Sequence, residues 1–198
     1  INPLGRRITA KEILKMSCGA TGIIAGLEPY TKNVLSNLPN LKCISRVGVG
    51  IDNIDQDYAQ SRGIEIRNTP DVVIQPVVEL VLALLFDLLR KTTIHTNIIK
   101  SGEWDRHVGN LLYGKTVGII GTGRIGKKMS EVFSVLGSTV IAYDLFPDNN
   151  WSESNKIHYK PLKVLLQESD IISLHASPVK NGKPIISKKE IGQMKQGV

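Results

Sequence analysis

Thr116-Val117-Gly118-Ile119-Ile120-Gly121-Thr122-Gly123-Arg124-Ile125-Gly126 decides how this chain of 198 residues folds. A short apolar run leads straight into three glycines spaced G-x-G-x-x-G. A helical period follows over residues 124–136 and is closed by Gly137. A second apolar run, 139–143, ends beside Asp144, 18 residues beyond Gly126. Each part has a physical task. Gly121 permits the tight turn out of the strand, Gly123 lets the backbone approach a pyrophosphate, and Gly126 lets the helix lie close on the sheet. The first helical N–H groups and the positive end of the helix dipole receive the phosphate charge. Asp144 stands near the spacing of about 20 residues expected for a ribose contact; it accepts from a 2′-hydroxyl and repels a 2′-phosphate, which favours NAD over NADP. Together these parts predict a Rossmann-type dinucleotide site.

Downstream, a helix over 162–166, a strand over 171–174 and a capping box at Ser187-Lys188-Lys189-Glu190 continue the alternation. The pattern predicts an α/β fold with a doubly wound parallel sheet. Upstream, Thr9-Ala10-Lys11-Glu12 is another capping box, carried on by Ile13, Leu14 and Met16. Strands over 22–26, 41–47 and 64–67 alternate with helices over 30–38 and 58–62, a small α/β layer lacking its opening strand. Asn68-Thr69-Pro70-Asp71 is turn chemistry and marks the expected boundary between a partial domain, 1–70, and a second domain, 71–198. Pro76 should open a long helix that is apolar nearly all round over 77–89 and needs burial on several sides, between domains or between subunits. Trp104, after the Ser101-Gly102-Glu103 turn, and Trp151 are expected to be packing anchors.

Hydrophobic residues make up 41% and charged residues 22% of the chain, a globular balance that excludes disordered and collagen-like classes. No apolar run approaches the about 18 residues of a membrane span. The net charge of +7 is spread among acidic neighbours without a dense basic run, so a solvated surface rather than a nucleic-acid partner is expected. Two cysteines, Cys18 and Cys43, form no disulfide framework and suit a reducing, cytoplasmic setting. No signal peptide is visible; Ile1 is not an initiator and Gly197-Val198 carries no capping signal, so a piece of a longer protein is expected. No cluster has metal-ligand spacing. Asp52, Asn53 and Asp55 lack the glycine and distal glutamate of a calcium loop and should serve capping and loop hydrogen bonds. His175, at the C-terminal end of a strand, occupies an acid–base candidate position. His95, His107 and His158 read as surface or packing residues.

Beyond the glycine turn, Arg46-Val47-Gly48-Val49-Gly50-Ile51-Asp52-Asn53-Ile54-Asp55, Gly63-Ile64-Glu65-Ile66-Arg67-Asn68-Thr69-Pro70, Gly102-Glu103-Trp104-Asp105-Arg106 and Ser169-Asp170-Ile171-Ile172-Ser173-Leu174-His175 resemble, in order and spacing, the D-isomer-specific 2-hydroxyacid dehydrogenases. The resemblance is closest to the branch acting on D-3-phosphoglycerate at the start of serine synthesis. It implies an NAD-dependent oxidoreductase with a Rossmann-type domain and a flavodoxin-like substrate domain, both incomplete here. Arg124 and Ile125 would cover the pyrophosphate, Asp144 would hold the adenosine ribose, and Ala176, Ser177 and Pro178 would flank the adenine. The loop Val47, Gly48, Val49 and Gly50 would face the nicotinamide and hold the substrate carboxylate with its N–H groups, with Arg46 close by. His175 becomes a structural residue beside the cofactor.

Two departures stand out. The family's His-x-Pro-x-Thr is His175-Ala176-Ser177-Pro178-Val179 here, with the proline displaced and the threonine absent. The family's catalytic arginine, glutamate and histidine would lie beyond Val198. A homodimer built on the helix after Pro76 is expected. A non-catalytic NAD-sensing protein, like the corepressors that share this scaffold, is the alternative class.

Overall fold

In the computed structural model, which describes residues 2–177 and 182–198, the Thr9 capping box forms. The Thr9 hydroxyl accepts from the Glu12 N–H at 3.4 Å while the Glu12 carboxylate takes the Thr9 N–H at 2.8 Å, starting α1 (Ala10–Met16). The chain divides into two units, Ile1–Val73 and Ile74–Val198.

In the first unit, β1 (Gly22–Ala25), α2 (Lys32–Ser36), β2 (Cys43–Arg46), α3 (Gln56–Ser61) and β3 (Glu65–Asn68) follow α1. The strands are parallel in the order β1-β2-β3, with Ile23, Ile44 and Ile66 in register. Ile13, Val34, Leu35, Ile44 and Ala59 are fully buried and form the core. Asp55 caps α3 by accepting from the Tyr58 N–H at 3.0 Å, and Asn53 donates to the carbonyls of Gly26 and Glu28. These polar residues therefore serve the loop, as their spacing predicts.

The second unit contains α4 (Ile74–Arg90), α5 (Thr92–Lys100), β4 (Thr116–Ile120), α6 (Arg124–Val135), β5 (Thr139–Tyr143), α7 (Asn149–Ser154), β6 (His158–Tyr159), α8 (Leu162–Glu168), β7 (Ile171–Leu174) and α9 (Lys188–Ile191). Its sheet is parallel in the order β6-β5-β4-β7. Alternate residues of β4 and β5 enter different cores. Val117, Ile119, Val140 and Ala142 pack with Met129 and Phe133 of α6, whereas Ile120 and Ile141 pack with Leu165 and Leu166 of α8. Helices thus cover both faces, which is why the strands read as continuous apolar runs.

The structure corrects two expectations, the start of one helix and the packing of Trp104. Helix α4 begins at Ile74, two residues before Pro76, because proline is tolerated throughout a first turn whose N–H groups lack helical acceptors. Within this unit it covers one face: Val78 is buried and Val81, Leu82, Leu85 and Leu89 face the core, while Leu80, Leu84 and Leu88 are 59%, 58% and 77% exposed, one residue per turn along a second face. Trp104 is 86% exposed and anchors nothing among the described residues, whereas Trp151 does pack against the core of β4 and α6.

An unexpected helix, α5, follows α4 after the single residue Lys91, at φ 56°. The Asp87 carboxylate clamps this elbow, accepting from the Thr92 hydroxyl and from the Thr93 N–H at 2.7 Å. Among the described residues, no helix is long and apolar enough to cross a membrane, and no group of three or more His, Cys, Asp or Glu side chains is arranged to hold a metal.

Candidate functional site

The C-terminal end of β4 turns at a residue that has to be glycine. Gly121 has φ +93°, and a Cβ there would lie 2.5 Å from the nitrogen and 2.6 Å from the Cα of Ala176. Its N–H donates to the Tyr143 carbonyl at 2.8 Å. The turn is therefore wedged between the exits of β5 and β7, where the strand order reverses about β4 and where α/β sheets open a crevice. Gly126 seats the helix, since a Cβ on it would stand 1.9 Å from the Gly121 carbonyl oxygen.

Gly123 is different. It is the N-cap of α6, its φ is an ordinary −68°, no side chain caps the helix, and nothing lies within 4 Å of where its Cβ would be. The positive end of a 12-residue helix without a side-chain cap, with open space at the Gly123 Cβ position, makes a seat for an anion. These residues fit a dinucleotide: backbone packs tightly against Gly121 and Gly126, and the Gly123 side, where a pyrophosphate would lie, is open.

A cleft of about 720 Å³ opens there. Of the predicted residues it brings together Gly121, Gly123, Asp144, Ala176 and Ser177. Arg124 is exposed at the start of α6, Ile125 packs toward the core, and Gly126 is buried, so these three adjoin the cleft without lining it. Pro178 lies outside the described residues. The sequence did not mark Leu145 and Phe146 as site residues; both line the cleft with their side chains largely exposed.

Asp144 is held by the turn it faces. Its Oδ2 accepts from the Thr122 N–H at 2.6 Å and from the Thr122 hydroxyl at 3.0 Å, and its Oδ1 accepts from the Phe146 N–H at 2.9 Å. Burial pushes the carboxyl up. The N–H groups of Phe146 and Thr122, the Thr122 hydroxyl and the Leu145 N–H together outweigh burial and hold the pKa below the ordinary aspartate value. The Thr122 hydroxyl also meets the Tyr159 hydroxyl at 2.7 Å. Tyr159 carried no motif signal: it lies 37 positions from Thr122, on a strand of two residues.

His175 lines the same cleft. Its N–H continues the sheet to the Ile120 carbonyl at 2.7 Å, its Nε2 lies 2.8 Å from the Ser173 hydroxyl, and burial lowers its pKa. His95 and His107 meet edge-on with ring centroids 5.9 Å apart, and His158 is exposed.

In the first unit, the loop after β2 is strongly shaped. Gly48 has φ +131°, and the Arg46 guanidinium folds over it: Nη1 contacts the Val47 carbonyl and occupies the place of a Gly48 Cβ. The Val47 N–H donates to the Ala25 carbonyl at 2.9 Å and the Gly48 N–H to the Thr69 hydroxyl at 2.8 Å. Among the described residues, the Val49 and Gly50 N–H groups have no such acceptor. Asn68 pins the loop by donating to the Val49 carbonyl at 2.7 Å.

Residues 82–198 match the family model described as "D-isomer specific 2-hydroxyacid dehydrogenase, NAD binding domain". A hydroxypyruvate reductase of Thermotoga maritima is 34% identical over 179 residues, which are 89% of this chain and 57% of that protein. A D-3-phosphoglycerate dehydrogenase of Bacillus subtilis is 33% identical over 178 residues, 89% of this chain and 34% of that protein. Among solved structures, a D-lactate dehydrogenase of Aquifex aeolicus complexed with NAD and lactic acid superposes with a TM-score of 0.82 at 30% identity, covering 96% of this chain and 57% of that one. The chain thus spans between about a third and three fifths of the length of these proteins.

Proposed function

The chain belongs to the D-isomer specific 2-hydroxyacid dehydrogenase family, and from that premise we propose that the protein carrying it is an oxidoreductase acting on a small D-2-hydroxy acid with NAD. Residues 1–70 supply part of the substrate domain and 71–198 the NAD-binding domain. The observation that carries this reading is the uncapped N-terminus of α6 at Gly123, open where a Cβ would stand, beside an ionised Asp144 at the end of β5. When bound, the nicotinamide would accept or return hydride at the substrate carbon.

This chain's residues bind and orient. The first turn of α6, with Arg124 and Ile125, takes the pyrophosphate. Asp144 accepts from the adenosine 2′-hydroxyl, and Leu145, Phe146, Ala176 and Ser177 border the adenine. In the substrate domain, the available Val49 and Gly50 N–H groups receive the substrate carboxylate, in a loop shaped by Gly48 and Arg46. D-3-Phosphoglycerate is the proposed substrate, on the strength of the motif resemblance. The relatives named above act by name on hydroxypyruvate, phosphoglycerate and lactate, so the choice among them is the finer step. The exposed row Leu80, Leu84 and Leu88 supports a homodimer through α4. A cytoplasmic setting suits the unpaired Cys18 and Cys43.

Calorimetric titration with NAD and NADP, followed by turnover of the full-length protein on D-3-phosphoglycerate, hydroxypyruvate, glyoxylate and lactate, tests both levels. Preferred NAD binding with fastest turnover of the phosphorylated acid is expected. Absence of NAD binding overturns the reading, and preference for another acid overturns the substrate alone.

A further inference from the structure

Beside the cleft, four groups form a hydrogen-bond chain that runs in one direction. The Asp148 N–H donates to the Tyr159 hydroxyl at 3.2 Å, the Tyr159 and Thr122 hydroxyls are 2.7 Å apart, and Thr122 Oγ1 lies 3.0 Å from Asp144 Oδ2. An ionised carboxylate only accepts, so the Thr122 proton goes to Asp144. Thr122 therefore accepts from Tyr159, and Tyr159 accepts from an N–H that can only donate. Neither hydroxyl has a second choice. Thr122 is buried, and Tyr159 is fixed in β6 opposite Ala142, two positions before Asp144. The Tyr159 ring lies 6.5 Å from the Trp151 ring, over which Lys127 sits at 5.3 Å while also pairing with Asp148.

We propose that Tyr159 is a positioning residue for the cofactor: through Thr122 it holds the Asp144 carboxylate in one orientation and thereby sets the preference for a ribose 2′-hydroxyl over a 2′-phosphate. This rests on the assignment of Asp144 to the ribose made above. The physical reason is preorganisation. A carboxylate tied through a buried threonine meets the 2′-hydroxyl without further loss of freedom, and it cannot swing away from a 2′-phosphate to relieve repulsion. Without the aimed Thr122 hydroxyl, the carboxylate would rest on backbone N–H groups alone and could turn further.

The test is calorimetric binding of NAD and NADP to the full chain and to Tyr159→Phe, Thr122→Val, Thr122→Ser and Asp144→Ala, with carbon NMR titration of the Asp144 carboxyl in the absence of cofactor. Tyr159→Phe keeps the ring and its packing. It should weaken NAD binding about threefold to tenfold, the loss expected for one hydrogen bond between neutral hydroxyls. It should also narrow the NAD-over-NADP ratio and raise the carboxyl titration toward the ordinary aspartate value. Thr122→Val should behave alike, and Thr122→Ser should retain the parent values. If Tyr159→Phe leaves the ratio and the titration unchanged while Asp144→Ala abolishes the preference, the positioning role is overturned and the ribose assignment stands. If Asp144→Ala leaves the ratio unchanged, both are overturned.

Discussion

Gly126 and Gly121 meet backbone to backbone: a Cβ on Gly126 would stand 1.9 Å from the Gly121 carbonyl oxygen. Two effects oppose each other in Gly126→Ala. Alanine favours the helix by about 1 kcal/mol, but the added methyl has to displace main chain, and overpacking costs about 1–3 kcal/mol. Because the obstructing atom is a backbone oxygen, the second should win. Urea unfolding should show net destabilisation; a variant at least as stable as the parent would mean that the helix seats differently.

Gly123→Val separates binding from folding. The Cβ position is open and φ is ordinary, so the variant should fold, with a stability loss of about 1 kcal/mol for a poorer N-cap. The isopropyl group then occupies the anion seat. NAD affinity should fall by about tenfold or more, the effect of roughly 1.4 kcal/mol. Unchanged affinity in calorimetry would remove the phosphate from this turn.

His175 gives the fold a pH dependence of defined sign. Burial lowers its pKa from the ordinary 6.5, so on acidification the unfolded chain takes up a proton before the folded one does. The contribution is fully present above about pH 6.5 and is lost as pH falls toward the depressed native value. Urea midpoints measured between pH 7.5 and about pH 5 should decline less steeply in His175→Gln than in the parent. Parallel profiles would show that other groups govern this range.

Leu84 stands midway along the exposed row of α4. If that row closes a dimer, Leu84→Asp places an unpaired carboxylate in the interface and should raise the dimer dissociation constant by about a hundredfold or more. Sedimentation of the full-length protein reads this directly. A parent that sediments as a monomer sinks the interface.

The parts of the fold legible in the sequence are those whose chemistry is local. The runs ending at Ile120, Tyr143 and Leu174 have the limits of β4, β5 and β7 because buried parallel strands are apolar on both faces and stop at turn residues. Both capping boxes form for the same reason. By contrast, β6 has two residues, too few to show a period, and exists through its pairing with Ile141 and Ala142. Helix α5 escapes notice because no glycine or proline separates it from α4; Lys91 makes the break in a left-handed conformation, clamped by Asp87. The glycine turn and Asp144 were legible for their spacing. Tyr159 was not, because its role arises only when the edge strand brings it beside Thr122. Trp104 misleads for a related reason: aromatic character says that a residue gains by burial, not what is there to bury it.

The elbow at Lys91 has a mechanical consequence. Asp87 clamps its inner side, and beyond α5 the chain returns, with the Asn110 N–H donating to the Leu89 carbonyl at 2.7 Å and His95 Nε2 3.1 Å from the His107 carbonyl. The arm between residues 92 and 110 is thus a closed loop fastened at both ends to the last turn of α4, and opening either fastening loosens the other. Its amides should therefore exchange with solvent as one cooperative block rather than residue by residue.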